Sequence, residues 1–531
     1  MNTSLSSWLL AGLVANLSVS AATHWVDASL GRDANPGTET APWKSLDSSM
    51  GRLTGGDTLL LRSGSYGDLG YGRSDRGAGR AGNPLKSYWW EPIAEIFSDW
   101  VTVRGEVGAE AHLGAVSLGT WLDTSGVSIP FATRGNSNLR MRLENLRIDD
   151  GVKIQGSRYV EIRKCVVRLR GDTIAIMPRA GIAVFNGQFV TLEGNEITHC
   201  GIGIQGMTRD FVVRDNEIHH NSHDGMSILG GENWLVEGNR IHDLDDGADD
   251  AEQTSGAKPW NMHVDGIQMY MVGNGDAKYA IGSKNFTFRN NIFYHLEAMG
   301  VMINANNAGG EYRDFTWENN IWGPVGGTGF HLGADFAGRF VFRNNTQIYA
   351  PKDVWTSIFG RIMDGQRYNL ALWNKPVGAG SVYEFYNNIF ATSFGIPTTY
   401  DFVGRNIFLG TKDTPLDRGQ TQVKSTPYAA VFGTIPDFLA GGGVLGELNS
   451  TSPAVDSGST RLSLLDDAYG GRRDAKIDIG AVEYRQGTAV NSRSGGVKTW
   501  TGGLASRSHD LLGRFGRAPW GLENELCNCS I

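Results

Sequence analysis

The architecture of this chain can be read from two neighbouring stretches of its sequence. They are FVTLEGNEITHCGIGIQ, residues Phe189–Gln205, and FVVRDNEIHHNSHDGMSIL, residues Phe211–Leu229. Each consists of a β-rich run, an asparagine with an apolar residue close behind it, a glycine, and a second β-rich run. Two later stretches, Phe286–Asn304 and Phe315–Gly333, repeat the pattern. The asparagines that recur at the same place in the pattern are Asn195, Asn216, Asn239, Asn291, Asn320, Asn345 and Asn388.

The spacing of these asparagines predicts a solenoid. The closest copies lie 21 and 23 residues apart, and the 52 residues from Asn239 to Asn291 form one oversized coil. A coil of this length cannot bury its apolar face alone, so coils stack and share one core. In the run FTFR at 286–289 alternate residues are apolar, which is typical of strands with one face turned inward. We expect the asparagines to form a column at a turn, each bonded to the coils above and below.

The composition limits the possible classes of function. The chain has 531 residues and a net charge of −8 at pH 7, so it carries no overall basic surface for nucleic acid. An acidic protein that binds an acidic polymer needs local cations or a bound metal. Met1–Ala22 has an apolar core and ends in small residues, as a secretory signal does, and no other run is long enough to span a membrane. We therefore expect a secreted monomer, extracellular or periplasmic.

Four segments are predicted along the chain. Residues 1–22 form the signal peptide, 23–138 an N-terminal cap with the first irregular coils, 139–485 the regular parallel β-helix with loop insertions and closing strands, and 486–531 a poorly ordered tail. The cap is expected to contain a strand, a short helix near Leu46–Leu53 and a second strand. The closing strands are expected at Ser452–Gly458 and Asp478–Tyr484.

Three residues are placed relative to the asparagine column. Asn145 is expected in the column, in the coil that begins the regular part of the chain. Cys165 takes the same position one coil later, where a small buried thiol packs well. Cys200 lies at a turn in the following coil, and both cysteines are expected to be free thiols.

The repeats resemble those of secreted right-handed parallel β-helix proteins, especially the bacterial polysaccharide lyases of the pectate and alginate lyase-like superfamily. Besides the asparagine coils, the resemblance rests on Gly31–Thr38 followed by Pro42-Trp43-Lys44, on Gly56–Tyr66 and on Asp478–Tyr484. It implies an all-β fold, a single-stranded right-handed parallel β-helix with an N-terminal cap, and an acidic, uronate-containing polysaccharide as substrate.

The sharper signatures of the subfamilies are incomplete in this sequence. The Glu-x-Glu strand followed by Lys-Ser of one alginate and dermatan lyase group is absent. The calcium-binding Asp-Asp-Gly turn of other lyases is matched only by Ser222–Gly225, with one aspartate. Polygalacturonase-like hydrolases carry Asn-Thr-Asp-Gly-Ile-Asp, whereas Met262–Gln268 keeps Asp-Gly-Ile and lacks the second acid. These departures leave the subfamily, and the choice between lyase and hydrolase, open.

Two aspartates precede equivalent glycines in adjacent coils. Asp224 precedes Gly225 and Asp265 precedes Gly266, so their Cα atoms are expected about 4.8 Å apart along the stack. Like charges at that spacing require a cation, a shared proton or a catalytic role to compensate them. The alternative is that both carboxylates accept hydrogen bonds from turn amides, as aspartate before glycine often does.

A surface stripe of polar side chains is predicted, and Asp224 and Asp265 are its first members. In the strand that follows Gly266, Ile267 and Met269 point inward by alternation, so Gln268 and Tyr270 point outward. Further members of the stripe, from the same and later coils, are His263, Asn304 and His331.

The insertion Leu244–Met262 adds charged and aromatic side chains. Its carboxylates, Asp249 among them, are those of a solvated acidic loop, the reading we favour, or of a Ca²⁺ site, since Ca²⁺ takes six to eight oxygen ligands. Lys258 offers a cation and Trp260 a platform for a sugar ring. Arg361, on a later loop, is placed to contact an acidic substrate.

Three functions are compatible with this stripe. In a lyase, His263 or Lys258 removes the proton beside the uronate carboxylate and Tyr270 protonates the leaving oxygen. Ca²⁺ held by Asp224, Asp265 and Asp249 then neutralises the carboxylate, and Asp265 flanks the base. In a hydrolase, Asp224 and Asp265 are the acid/base pair. The third function is a non-catalytic carbohydrate-binding protein. We rank the lyase first, with Gln268, Asn304, His331, Trp260 and Arg361 as substrate contacts.

Overall fold

The structure is a computed structural model that describes residues 21–73, 96–121, 137–170, 180–245, 264–270, 282–304, 311–323, 325, 329–348, 370–372, 381–390, 402–409, 421–423, 430–432, 445–460 and 464–485. By its internal contacts the chain divides into Met1–Val490 and Asn491–Ile531. The second unit lies wholly outside the described residues. No helix in the described residues is long and apolar enough to cross a membrane.

The first unit is a stack of coils, each contributing strands to three parallel faces. Strands of the first face are Leu69–Arg73, Val116–Trp121, Val152–Gln155, Ile267–Met269, Val301–Ile303, Phe330–Leu332 and Leu370–Leu372. Those of the second are Thr23–Val26, Thr58–Leu61, Val101–Gly105, Ser137–Glu144, Ser157–Arg163, Ser283–Arg289, Tyr312–Glu318, Phe336–Arg343, Val382–Tyr386 and Phe402–Gly404. Three long strands bend from the first face into the second: Ala180–Glu193, Ile202–Arg214 and Met226–Glu237.

The third face is made of short strands. They are Gly64–Ser65, Ala111–Leu113, Arg147–Ile148, Val166–Val167, Glu196–Thr198, Glu217–His219, Arg240–Leu244, Ile292–Leu296, Ile321–Trp322, Thr346–Gln347, Ile389–Phe390, Ile407–Leu409 and Thr421–Val423. A short helix, Leu46–Met50, lies between the first two strands of the chain, and Ser45 caps it by accepting a hydrogen bond from the N–H of Ser48. The predicted order of strand, helix and strand is therefore observed; the capping role of this region stays a prediction.

The inward side chains of each face stack coil upon coil. Phe286 packs between Trp234 and Phe315, with ring centroids 5.1 and 5.0 Å away, and Phe288 stacks on Trp317 at 3.8 Å. All of these rings are buried. The alternation seen in the sequence thus builds one continuous core, in which aromatic contacts add to the burial of apolar area.

The asparagine column is observed and is longer than predicted. In each step the side-chain oxygen of one asparagine accepts from the backbone N–H and the Nδ2 of the asparagine one coil earlier, as Asn239 does from Asn216 at 3.0 and 2.9 Å. Nδ2 of Asn239 donates to the carbonyl of Val213. The column continues past Asn388 to Asn406. The amide oxygen and nitrogen of the column asparagines are satisfied in this way.

One residue of the predicted column was wrong by one position. Asn145 is the left-handed residue (φ 51°) that precedes the column position, and Leu146 occupies the column, because the N–H of Val166 donates to its carbonyl. Cys165 does occupy the column, since its N–H donates to Oδ1 of Asn195. Cys165 and Cys200 are buried thiols that form no disulfide bond among the described residues, as expected.

The second face carries an alternating row of charges on its outer side. Strand register aligns one residue from each coil, and the sign changes at every step. In order, the row is Arg104, Glu144, Arg163, Glu193, Arg214, Glu237, Arg289, Glu318 and Arg343. We refer to these residues as the charge row.

The two closing strands expected near the C-terminus are instead turns and bends. They belong to a segment, residues 445–460 and 464–485, that packs on the outer side of the third face. A second hydrophobic cluster joins Ile292, Ile321 and Ile389 of that face to Ile479 and Val482 of the segment. Side chains at left-handed turn positions also hold it: Nδ2 of Asn319, Asn344 and Asn387 donate to the carbonyls of Asp466, Gly480 and Ser459.

Candidate functional site

The outer side of the first face is the predicted stripe. Strand register aligns Gln205, Ser227, Gln268, Met302 and His331 in one row across consecutive coils. The residues on either side of Gln268, Ile267 and Met269, are fully buried. The predicted alternation is therefore confirmed, and the row brings Gln268 and His331 to one surface with Met302 between them.

Tyr270 and Asn304 form a second row next to the first. The N–H of Tyr270 donates to the carbonyl of Ile228, and the N–H of Asn304 donates to the carbonyl of Met269. Each residue thus follows the end of its strand at the same level of the coil, and both side chains are partly exposed. Adjacent coils lie about 4.8 Å apart, so the structure brings Tyr270 and Asn304 together beside Gln268.

Asp224 and Asp265 lie at equivalent places in adjacent coils, as predicted. The strands that follow them pair Met226 with Ile267, and Oδ1 of Asp224 accepts from the N–H of Asp265 at 3.2 Å. Oδ1 of Asp265 accepts in turn from the N–H of Met299 at 3.0 Å. Both side chains are fully buried, so the prediction that these aspartates belong to the surface stripe was wrong: their carboxylates turn inward to accept turn amides. These contacts are those of the turn-stabilising alternative.

Glycines at this bend let the coils approach closely. A Cβ on Gly225 would come within 2.7 Å of the carbonyl oxygen of Gly266, and one on Gly266 within 2.5 Å of that of Gly300. Any side chain here would push neighbouring coils apart. The aspartate-glycine pairs therefore have a structural reason of their own, independent of catalysis.

Two residues that the sequence analysis did not select lie against Asp224. Oγ of Ser227 donates to Oδ2 of Asp224 at 2.6 Å. Nδ1 of His223 accepts from the N–H of Asp224 at 2.7 Å and lies 3.1 Å from Oδ2. Ser227 belongs to the outer row by register but is only 1% exposed, so its hydroxyl satisfies the buried Asp224 carboxylate. Ser227 could have been selected from the sequence, because it lies two residues after Gly225, at a position that alternation assigns to the outer side of the strand.

The remaining predicted site residues lie outside the described residues: His263, Lys258, Trp260, Asp249 and Arg361. The segments that contain them, 246–263 and 349–369, connect the third face to the first face. Within the described residues, no group of three or more His, Cys, Asp or Glu side chains is arranged to hold a metal ion. Asp224 and Asp265 therefore do not make a calcium site with the described residues alone.

A second polar cluster, which the sequence analysis missed, lies on the third face. Oδ2 of Asp243 accepts from Nδ1 of His242 (2.7 Å), and Oε1 of Glu217 accepts from Nε2 of the same ring (3.1 Å). Nδ1 of His295 lies 2.8 Å from Oδ1 of Asp243. The rings of His219, His242 and Tyr294 stack in successive coils, with centroids 5.2 and 4.6 Å apart.

The electrostatics of this third-face cluster follow from its contacts. Burial acts to lower the pKa of His242, but hydrogen bonds with Asp243 and Glu217 outweigh it and raise that pKa. Burial acts to raise the pKa of Asp243, but hydrogen bonds from His242 and His295 hold that pKa well below its usual range. The signal in the sequence was the recurrence of histidine after the column asparagines, as in NEITH, NEIHH and NRIHD.

Comparisons with known proteins agree with the coil architecture. The family model described as right handed beta helix region matches residues 126–266. Together with the stacked parallel faces, this match confirms the predicted right-handed parallel β-helix, the fold in which the chain resembles polysaccharide lyases. No curated protein sequence matches the chain.

Several solved structures are similar in fold. Pectate lyase Pel9A aligns over 88% of this chain and 98% of its own, with 12% identity and a TM-score of 0.43. The PL6 family alginate lyase AlyGC aligns over 83% and 58%, with 12% identity and a TM-score of 0.40. The catalytic unit of a GH87 α-1,3-glucanase from Streptomyces thermodiastaticus strain HF3-3 aligns over 67% and 50%, with 14% identity and a TM-score of 0.34. Lyases and a hydrolase thus share this likeness, which concerns the fold alone.

Proposed function

We propose that this protein is a secreted carbohydrate-active enzyme that cleaves an acidic, uronate-containing polysaccharide by β-elimination. The observation that carries the proposal is the double row on the first face. Gln268 and His331 lie in one row, and Tyr270 and Asn304 lie in the next. A polymer that lies along the stack meets a new coil about every 4.8 Å, so several coils contact several sugar units.

The chemistry of β-elimination assigns roles to these residues. A base removes the proton beside the uronate carboxylate, and a general acid protonates the leaving glycosidic oxygen. We assign the base to His263 or Lys258 and the acid to Tyr270, which stands on the first face with a partly exposed side chain. Gln268, Asn304 and His331 bind hydroxyl and carboxylate groups of the polymer. Trp260 stacks on a sugar ring, and Arg361 pairs with a uronate carboxylate.

Calcium is a separate part of the proposal. Two carboxylates that each accept a backbone N–H fall short of the six to eight oxygen ligands that Ca²⁺ takes, so a site would need Asp249 and further oxygens. In this proposal, therefore, neither the proton removal nor the protonation of the leaving oxygen depends on a metal ion. Neutralisation of the substrate carboxylate is assigned to the cationic side chains, and removal of divalent ions tests whether Ca²⁺ also contributes.

The burial of the paired aspartates supports a lyase over a hydrolase. In a hydrolase Asp224 and Asp265 would have to reach the glycosidic oxygen and the anomeric carbon. Both side chains are fully buried, and one oxygen of each accepts a turn amide. In our proposal Asp265 supports the strand start beside the base rather than touching the sugar.

The proposal is tested by ultraviolet absorbance of unsaturated products on alginate, pectate, glycosaminoglycans and glucuronan, with Ca²⁺ and with EDTA. A rise in absorbance on one polymer supports the lyase and names its substrate class, and suppression by EDTA adds a metal. New reducing ends without absorbance would establish the hydrolase. Binding of a polymer without either product would leave the non-catalytic carbohydrate-binding protein.

Secretion is tested separately by expressing the full chain in a host with a secretory pathway. We expect the exported protein to begin near residue 23, as sequencing of its N-terminus would show. A cytosolic protein that keeps Met1–Ala22 would contradict the predicted signal peptide.

A further inference from the structure

A pair of histidines stands at the exposed end of the third-face cluster. His219 ends the strand Glu217–His219, and His220 follows it with a left-handed φ of 52°. Their Nδ1 atoms are 2.6 Å apart, and the two rings are close to perpendicular. His220 is exposed. This geometry turns the ring nitrogens of two consecutive residues toward one point beside solvent.

The short nitrogen contact defines the protonation of the pair. Two imidazole nitrogens at this distance share one proton, because one must donate and the other must accept. A metal ion can take the place of the shared proton between the two rings, since imidazole nitrogens are common metal ligands.

A carboxylate orients the inner histidine. Nε2 of His219 lies 3.5 Å from Oε1 of Glu196 in the preceding coil. With Nε2 directed at a carboxylate, Nδ1 of His219 is the nitrogen turned toward His220. Histidines that bind metals commonly use one nitrogen for the metal and donate the other N–H to a carboxylate.

We propose that His219 and His220 form a two-histidine chelate for a late divalent transition ion, Cu²⁺ first and Zn²⁺ more weakly, with water completing the coordination. Imidazole suits these ions, and affinities rise toward Cu²⁺. Metal–nitrogen bonds of about 2.0–2.1 Å place two ligand nitrogens about 3 Å apart, so the exposed ring of His220 has to open slightly. On binding, the shared proton moves to Nε2 of His220.

The neighbouring groups limit the site to two protein ligands. Nδ1 of His199 is hydrogen-bonded to Oγ1 of Thr198 at 2.9 Å, and its ring stacks on His220 at 5.8 Å. The other charged groups around the pair are Glu196, Glu217, His242, Asp243 and Arg168. This arrangement agrees with the lack of any three-ligand group among the described residues. The site lies on the third face, and the proposed lyase site lies on the first.

The test is titration of the full chain with Cu²⁺, followed by calorimetry and by electron paramagnetic resonance. We expect one saturable site with hyperfine splitting from two nitrogens, and a weaker site for Zn²⁺. His220→Ala, a change at an exposed position, should weaken binding at least tenfold, and Glu196→Gln about 10- to 100-fold. The matched control is His112→Ala, on the same face, whose Nδ1 lies 3.0 Å from Asp149 with no histidine partner.

The variants distinguish the two-histidine chelate from copper binding elsewhere on the chain. Loss of the site in His220→Ala and in His219→Ala, with binding kept in His112→Ala, supports the chelate. Binding that persists in both variants, or a spectrum without nitrogen splitting, would overturn it. Circular dichroism of each variant shows whether the coils are retained, and wild-type spectra test the ligand set without any substitution. None of these readouts depends on lyase activity.

Discussion

The carboxylate of Glu237 accepts a hydrogen bond from Nε of Arg289 at 2.9 Å, although 52 residues of chain separate the two. The same carboxylate accepts from Nε of Arg214 at 3.1 Å. One buried acid therefore links three coils of the charge row. The side chain of Glu237 is only 11% exposed, whereas the two arginines are more than a third exposed.

Replacing the central acid should weaken the stack. In Glu237→Gln the amide keeps one acceptor but loses the charge between two arginines, and we expect a loss of about 1–3 kcal/mol in the free energy of unfolding. Glu237→Lys should cost more, because three cations then stand in a row. The midpoint of urea unfolding measures both. The control is Glu232→Gln, at a pair 3.5 Å apart with both side chains over 40% exposed, where a shift above about 0.5 kcal/mol would argue against this account.

The asparagine column predicts opposite effects for two exchanges, cysteine to asparagine at Cys165 and asparagine to cysteine at Asn239. Sγ of Cys165 lies 3.7 Å from the carbonyl of Leu143, the group to which an asparagine amide at this position would donate. Cys165→Asn should therefore be tolerated within about 1 kcal/mol, and it would lengthen the column by one coil.

The reverse exchange should be costly. Asn239→Cys removes the acceptor of the backbone N–H of Asn216 and of one of its two Nδ2 hydrogens, the other still donating to Leu192, and it removes the donor to the carbonyl of Val213. Each unsatisfied buried group costs about 1–3 kcal/mol, so we expect a loss of about 3 kcal/mol or more by thermal or urea unfolding. Equal effects of the two substitutions would show that column hydrogen bonds do not govern stability at this turn.

The third-face cluster should make stability depend on pH. The pKa of His242 is raised by folding, so its contribution is fully present below pH 6.5 and is lost as pH rises through the raised value. The pKa of Asp243 is lowered, so its contribution is present above about pH 4 and is lost in acid. Stability from this pair should be greatest between these limits.

His242→Phe isolates the histidine. The phenyl ring keeps the stack on Tyr294 but cannot bond to Asp243 or Glu217. We expect this variant to be less stable than wild type at pH 6, with the difference shrinking by pH 9, as melting temperatures across this range would show. A constant difference at all pH values would assign the loss to packing rather than to titration.

The C-terminal segment is anchored by one buried cation. The guanidinium of Arg473, 1% exposed, donates to Glu483 at 2.8 Å, to Oδ1 of Asn319 at 3.0 Å and to the carbonyl of Gly480 at 2.8 Å. Removing one partner of a buried pair costs about 3–5 kcal/mol, so Arg473→Met should loosen the segment and speed its cleavage by a protease. The double variant Arg473→Met/Glu483→Gln should recover part of the loss; no recovery would mean that the pair itself is not the cause.

For the proposed enzyme, Tyr270→Phe is the most direct variant. If the phenol protonates the leaving oxygen, kcat should fall about 10²-fold or more while KM changes little. Gln268→Ala should instead raise KM. Thr287→Ala, on the second face, is the control. A Tyr270→Phe variant that keeps full kcat would move the general acid to another residue.

Sequence reasoning was sufficient for the coils because their signals are local. The asparagine with its following apolar residue predicted the column, and alternation predicted that Gln268 points out and Ile267 in. The prediction for Asn145 was wrong for two reasons. Leu146 can fill the column position, and asparagine is also common in the left-handed backbone conformation of the residue before it. Sequence reasoning also failed at residues 452–458 and 478–484, because an apolar run does not reveal whether it joins a sheet or packs across one.

Two features were legible in the sequence but became meaningful only once the register was known. The residue two positions before successive column asparagines reads Arg214, Glu237, Arg289, Glu318 and Arg343. The histidines that follow those asparagines likewise recur. Only the stacking of coils turns residues 52 positions apart into neighbours, so the sequence alone could not decide between a paired row and scattered surface charges.

The alternation of sign along the charge row also restricts how a chain of this kind can change its length. Excising the coil that supplies Glu237 would set Arg214 directly against Arg289, and inserting one extra charged coil would create a like-charged contact beside the insertion. Gain or loss of two coils preserves the order of signs. The second face therefore favours changes by an even number of coils. Duplication of a pair of coils keeps opposite charges in contact, whereas duplication of a single coil requires a compensating reversal of charge.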